Sequence, residues 1–130
     1  MKPHEAWLIK AKHDLGSSRK LMEGADPYPD TAVYHAQQCA EKTLKAFLAF
    51  REQPIHKTHD VELLVELCAA LDTRCADLLQ DAAALTPYAS AFRYPDVVMS
   101  PDVADVEDAI VRAERIYSFI TKLIAGERLA

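Results

Sequence analysis

The chain of 130 residues is expected to form an all-α, up-and-down antiparallel bundle of four to five helices, one domain spanning 1–130. Three observations predict this. Its seven prolines and three glycines fall almost wholly where helical periodicity stops. The stretches between them, about 12–23 residues long, are rich in Ala, Leu, Glu, Lys and Gln, which favour helix. No alternating apolar–polar run is long enough for a strand. Half the residues are hydrophobic and 27% are charged, which suits one soluble core and excludes a disordered tail or a fibrous repeat.

The first helix is expected from His4 to Glu23, with Trp7, Ala11, Leu15, Ser18 and Met22 on its buried face. Gly24, Pro27 and Pro29 break the chain, and Asp30 reads as the N-cap of a second helix reaching Arg51. Thr58-His59-Asp60 opens a third helix carrying Val61, Leu64, Val65, Cys68 and Leu71. A fourth runs from Asp72 to Leu85, and Thr86-Pro87 starts a short segment to Phe92. Ser100-Pro101 starts the last helix, which ends at Ala125 before Gly126. Its apolar stripe is Val103, Val106, Ile110, Ala113, Tyr117, Ile120 and Ile124. Tyr34 and Phe50 are aromatics that would suit a dimer face.

A net charge of −5 argues against a general polyanion binder, and no DNA contact is expected. The charge is uneven, however: residues 31–59 are +2 and residues 60–85 are −5. An anion-binding surface would therefore be local and include the second helix. Three cysteines, with no C-x-x-C, read as reduced thiols and not as a disulfide or zinc framework. No signal-like apolar run opens the chain and no stretch of about 18 apolar residues occurs, so a cytoplasmic protein without a membrane span is expected. Few glycines and no G-x-x-x-x-G-K-[ST] remove the usual phosphate-loop and dinucleotide sites, and no cofactor is expected.

The second helix is the informative one. At 100° per residue, Val33, Ala36, Cys39, Ala40, Leu44 and Phe47 fall within a sector of about 140° and form a core stripe. The opposite sector holds Tyr34, His35, Gln37, Gln38, Glu41, Lys42 and Lys45. One reading is a solvated face with an i,i+4 Glu41–Lys45 pair worth a few tenths of a kcal/mol. The other is a platform of amide, imidazole and ammonium groups for a phosphate, a nucleotide or a partner.

The run from Tyr34 to Leu48, with its H-x-Q-Q-x-x-E-K-x-L-K string, resembles the central helix of the HEPN family, the higher-eukaryote and prokaryote nucleotide-binding domain. Thr58-His59-Asp60 is similar to the family's T-H-D opening of the third helix, Arg93-Tyr94-Pro95 to its R-Y-P segment, and Trp7 with Asp14-Leu15 fits its first helix. The resemblance implies a helical bundle that forms homodimers, often beside a minimal nucleotidyltransferase. In related members the domain is a toxin-like ribonuclease that the transferase neutralises.

The family's ribonucleases carry R-x(4–6)-H, in which histidine takes the 2′-hydroxyl proton and arginine holds the phosphate charge. Arg93 is the matching arginine, yet Val97, Val98, Met99 and Ser100 follow and every histidine lies at or before His59. Arg51-x4-His56 satisfies the spacing in the wrong part of the pattern and gives Arg51 and His56 as catalytic candidates, with His35 and His59 the other histidines a departed site could use. His56 and His59 form an H-x-x-H without the further ligands of a metal site. His59 reads as a turn or cap residue or a local hydrogen-bond donor, and Arg93 as either a helix-end donor or an anion binder. Asp96 and Asp102 read as turn and helix-start acids. The expected function is a binding module contacting a nucleotidyltransferase, and nucleotide or RNA, through His35, Gln38, Glu41, Lys42, Lys45, His59 and Arg93. The alternatives are a metal-independent ribonuclease with a departed motif and a non-catalytic helical scaffold.

Overall fold

The computed structural model describes residues 1–95 and 100–127, so Asp96 lies outside the described residues. Five α-helices form among the described residues: α1 (Pro3–Lys20), α2 (Pro29–Phe50), α3 (Val61–Leu71), α4 (Leu79–Leu85) and α5 (Val103–Ala125). Among the described residues there is no strand, and no helix is long and apolar enough to cross a membrane.

Several ends differ from expectation for local reasons. Helix α2 begins at Pro29 with Tyr28 as its N-cap, because proline already holds the φ of a first helical residue. Asp30 lies inside the first turn, where it accepts from the Thr31 amide at 2.9 Å. The stretch expected as one fourth helix is split. Thr73–Leu78 is a tighter 3₁₀ helix and only Leu79–Leu85 is α. Three residues per turn aligns Cys75 with Leu78, and both are buried. A second 3₁₀ turn covers only Thr86–Ala89, with the Thr86 hydroxyl returned to the Ala82 carbonyl at 2.9 Å. Helix α5 starts at Val103, two residues past Pro101.

Helix α2 is the axis of the bundle and packs against α1, α3, α4 and α5. From Ala32 to Leu48 every residue except Tyr34, His35 and Lys42 is buried. A helix enclosed on most sides keeps only a narrow wet edge, so most of its polar residues must find partners inside. The surrounding core comes from Ala11 and Leu15, from Val61, Leu64, Val65 and Cys68, from Leu78, Ala82 and Leu85, and from Val106, Ala109, Ala113, Ile116 and Ile120. On α5 the buried line is turned from the expected stripe, leaving Val103 exposed and Ile110, Tyr117 and Ile124 half-buried.

Contacts between helices fix their directions. His4 meets Phe50 edge-on at 5.1 Å between ring centroids and Asp14 meets Lys42, so α1 and α2 are antiparallel. Gln37 reaches the His59 carbonyl, Cys68 lies against the Leu44 carbonyl and Arg51 reaches the Leu71 carbonyl. Partners therefore advance together along α2 and α3, which run in the same direction. The irregular stretch from Arg51 to Asp60 carries the chain back to make this possible. Its end is anchored by Asp60, which accepts from the Leu63 amide at 3.2 Å as the N-cap of α3.

Helices α2 and α5 end in the same way. After α5, the Gly126 amide bonds the Leu123 carbonyl and the Glu127 amide bonds the Lys122 carbonyl, with Gly126 at φ 73°. After α2, Glu52 and Gln53 make the same pair of bonds to Ala49 and Leu48, with Glu52 at φ 56°. This closure requires a left-handed residue, which costs roughly 1–2 kcal/mol for a side chain with a Cβ. Glu52→Gly should therefore raise unfolding free energy by about 1 kcal/mol in urea denaturation, and an equal or lower midpoint would contradict the strained ending.

Candidate functional site

Most of the polar strip of α2 does not face water. Gln37, Gln38, Glu41 and Lys45 are 0%, 8%, 4% and 6% exposed, which corrects the expectation of a solvated face. They form one hydrogen-bonded network around the Glu41 carboxylate. Lys45 Nζ donates to Oε2 at 2.9 Å. Gln37 Nε2 and Gln38 Nε2 each donate to Oε1 at 3.3 Å. His59 lies across from Oε1 at 2.8 Å through Nδ1; because an ionised carboxylate only accepts, that nitrogen carries the proton. Gln38 Nε2 also donates to Gln37 Oε1 at 2.8 Å, and Gln37 Nε2 to the His59 carbonyl at 3.0 Å.

Both side-chain amides in this set therefore find acceptors, the condition for burying such groups without a large penalty. Burial pushes the Glu41 carboxyl up, but the bonds from Lys45 and His59 and the charge of Lys45 outweigh it, leaving it below its ordinary value. Gln38, Glu41 and Lys45, expected to meet a ligand, bond to one another inside the bundle. His59 has a structural role in the T-H-D segment. It ties the start of α3 to α2, although its own side chain is 73% exposed.

A second cluster sits where α1 meets α2. Asp14, buried on α1, accepts from Lys42 Nζ at 2.6 Å and from His35 Nδ1 at 2.8 Å. His35 and Lys42 remain 29% and 26% exposed at their side chains, so they reach solvent from a fixed position. Asp14 was not among the sequence candidates. Its signal was a carboxylate at the edge of the α1 apolar face, one turn from Ala11 and Ser18.

Arg93 provides the third feature. Its guanidinium lies 4.2 Å over the Tyr34 ring and 5.6 Å from that of Tyr94. One arm donates to the Ala89 carbonyl at 3.0 Å, so the helix-end role and an exposed cationic fork coexist. Asp30, Thr31, Tyr34, Phe92 and Arg93 line a recess of about 170 Å³.

The remaining candidates lie apart. Arg51 reaches the Leu71 carbonyl at 3.4 Å and covers the Phe47 ring at 5.9 Å. His56 is exposed, and no hydrogen bond joins it to Arg51 among the described residues. Among those residues no three His, Cys, Asp or Glu side chains are grouped for a metal. Cys39, Cys68 and Cys75 are free and buried. Burial pushes the Cys39 thiol up to about 12 and the Cys75 thiol up to about 11, so both are poor nucleophiles. Elsewhere, buried Asp81 on α4 is held by Arg112 and by two bonds from Arg115 of α5, at 2.7–3.1 Å.

An all-α bundle with a buried Gln-Gln-Glu-Lys axis, a T-H-D anchor and a stacked R-Y-P arginine defines one class of helical domain. The family model of the HEPN domain matches residues 4–124, and the chain belongs to that family. The structure of ST0689, an archaeal HEPN homologue, is 30% identical with a TM-score of 0.72, over 95% of this chain and 99% of its own. TT1696 from Thermus thermophilus is 27% identical with a TM-score of 0.77, over 94% and 98% of the two chains. No curated protein matches the chain.

The lowered Glu41 carboxyl sets a pH dependence. Its contribution to stability is complete above its unfolded value near 4.5 and is lost as pH falls through the folded value. Glu41→Gln should be less stable than the parent at pH 7, and the difference should shrink as pH falls below about 4.5. Chemical denaturation at several pH values measures this; a difference that is constant with pH would contradict it.

Proposed function

We propose that this chain is a nucleotide- or RNA-associated binding module that works as a homodimer beside a minimal nucleotidyltransferase, in a toxin–antitoxin-like pair. One observation carries the reading: the Arg93 guanidinium is exposed yet sits over the Tyr34 ring at 4.2 Å. The ring contact and the bond to the Ala89 carbonyl hold the guanidinium in place, so a phosphate would meet donors that lose little freedom on binding. Tyr34 is the chain neighbour of His35, which shares Asp14 with Lys42. These groups place partly exposed cationic donors along the open edge of α2.

The recess beside Arg93 is smaller than the roughly 300–1,000 Å³ of a drug-sized pocket. It suits the phosphate of one nucleotide unit, with the base resting on the aromatic rim. Its position at the first turn of α2 adds the favourable end of the helix dipole, while the Asp30 carboxylate opposes an anion there. Binding is favoured over cleavage because the chain has no histidine after Arg93 to act as the base. Family membership supports the homodimer and the transferase as partners. Of the residues first considered, this reading assigns ligand contact to His35, Lys42 and Arg93, which the exposure of Arg93 and the partial exposure of His35 and Lys42 support.

Two substitutions of opposite sign test the site. Arg93→Ala removes a charge-assisted bond worth about 1.5–3 kcal/mol and should weaken binding at least about tenfold. Asp30→Asn should tighten it by removing the opposing charge. The measurement is fluorescence anisotropy with a labelled short single-stranded RNA, and competition with adenosine monophosphate. Unchanged affinity in both variants would overturn the assignment.

A further inference from the structure

The outward face of α1 carries a concentration of positive charge that the Tyr34–Arg93 site does not use. Ile9, Lys12, His13, Gly16, Ser17 and Lys20 line a groove of about 640 Å³, with no carboxylate among them. Lys12, His13 and Lys20 are exposed, and none of the three is in an ion pair among the described residues. Gly16 opens directly onto this groove, and a Cβ there would meet nothing within 4 Å. Helix α1 holds four basic and two acidic residues, and one of the acids, Asp14, points inward to Lys42 and His35. In a chain of net charge −5 this face therefore opposes the rest of the surface.

We infer that this face of α1 binds the phosphate backbone of single-stranded RNA as a second contact surface. The inference rests on the RNA-associated reading above and extends it to a different part of the molecule. Lys12 and Lys20 stand eight residues apart, about 12 Å along the helix, with His13 and Ser17 between them. Such a row of ammonium, imidazole and hydroxyl groups follows a backbone without reading bases. The surface lacks what a protein partner would need at its centre. Ile9 is its one large apolar side chain, and it holds no aromatic residue or arginine to act as an anchor. The acidic remainder of the chain would repel a polyanion elsewhere, which directs it to this face.

The test is the salt dependence of RNA binding for the full chain, with Lys12→Ala/Lys20→Ala compared with the parent. Both side chains are exposed, so the bundle should keep its thermal midpoint. Losing two phosphate contacts on a single strand should lower the slope of log K against log salt by about 1.4. RNA affinity should fall at least tenfold at low salt, while adenosine monophosphate binding stays unchanged. Lys57→Ala, an exposed lysine in the segment before α3, is the control for bulk charge and should leave the slope within about half a unit. The inference is overturned if the double variant keeps the parent slope, as a surface for an acidic protein would. Loss of slope equal to that of Lys57→Ala, or no RNA binding by the parent, also overturns it. If Arg93→Ala leaves binding intact while the lysine pair abolishes it, the Tyr34–Arg93 reading fails and the α1 surface stands.

Discussion

A single buried carboxylate organises the middle of this bundle. Glu41 lies on the central helix with 4% of its surface exposed, where an unpaired charge would favour unfolding by several kcal/mol. Four side chains answer it, three from α2 and one from the segment that opens α3. The fourth explains an otherwise odd topology. Helix α3 runs alongside α2 in the same direction, so the chain must return through an irregular stretch that has little apolar surface to hold it. His59 closes that return, offering its ring to Glu41 and its carbonyl to Gln37. Asp60 starts α3 in the next position.

A second consequence is a division of labour along α2. Around Glu41, the side chains of Gln37, Gln38, Lys45 and His59 bond to one carboxylate, while the buried Thr43 hydroxyl on the same helix has no partner among the described residues. Those at the α1 edge and the N-terminal end, His35 and Lys42 beside Tyr34, are held by Asp14 and still reach water. Both clusters use the same device, a carboxylate shared by two cationic or imidazole donors, at different depths. The Asp81–Arg112–Arg115 node repeats the device between α4 and α5.

The bundle itself was legible in the sequence, because proline and glycine mark helix ends and every long helix has an apolar stripe. The polar strip was separable from the core stripe by the same periodicity, but its environment was not. A helical wheel sorts residues by angle and cannot say whether a polar sector meets water or another helix. The available signal was chemical. Gln37-Gln38 beside Glu41 and Lys45 supplies donors and an acceptor that can satisfy each other, unlike a face of unmatched charges. Asp14 was missed because its partners lie 21 and 28 residues away, and the Arg93–Tyr34 stack because 59 residues separate the two. The end of α2 shows the converse limit: a left-handed Glu52 is unreadable where glycine would have announced the turn.

The central claim is that Glu41 and Lys45 interact inside the bundle and not on its surface, and a double-mutant cycle decides between these directly. Stabilities of the parent, Glu41→Gln, Lys45→Met and the double variant would be measured by urea denaturation at pH 7. A buried, mutually satisfied pair predicts a coupling of about 1–3 kcal/mol, with the double variant less destabilised than the two single losses added together. A coupling of about 0.5 kcal/mol or less, the range of an exposed i,i+4 pair, would contradict the buried network.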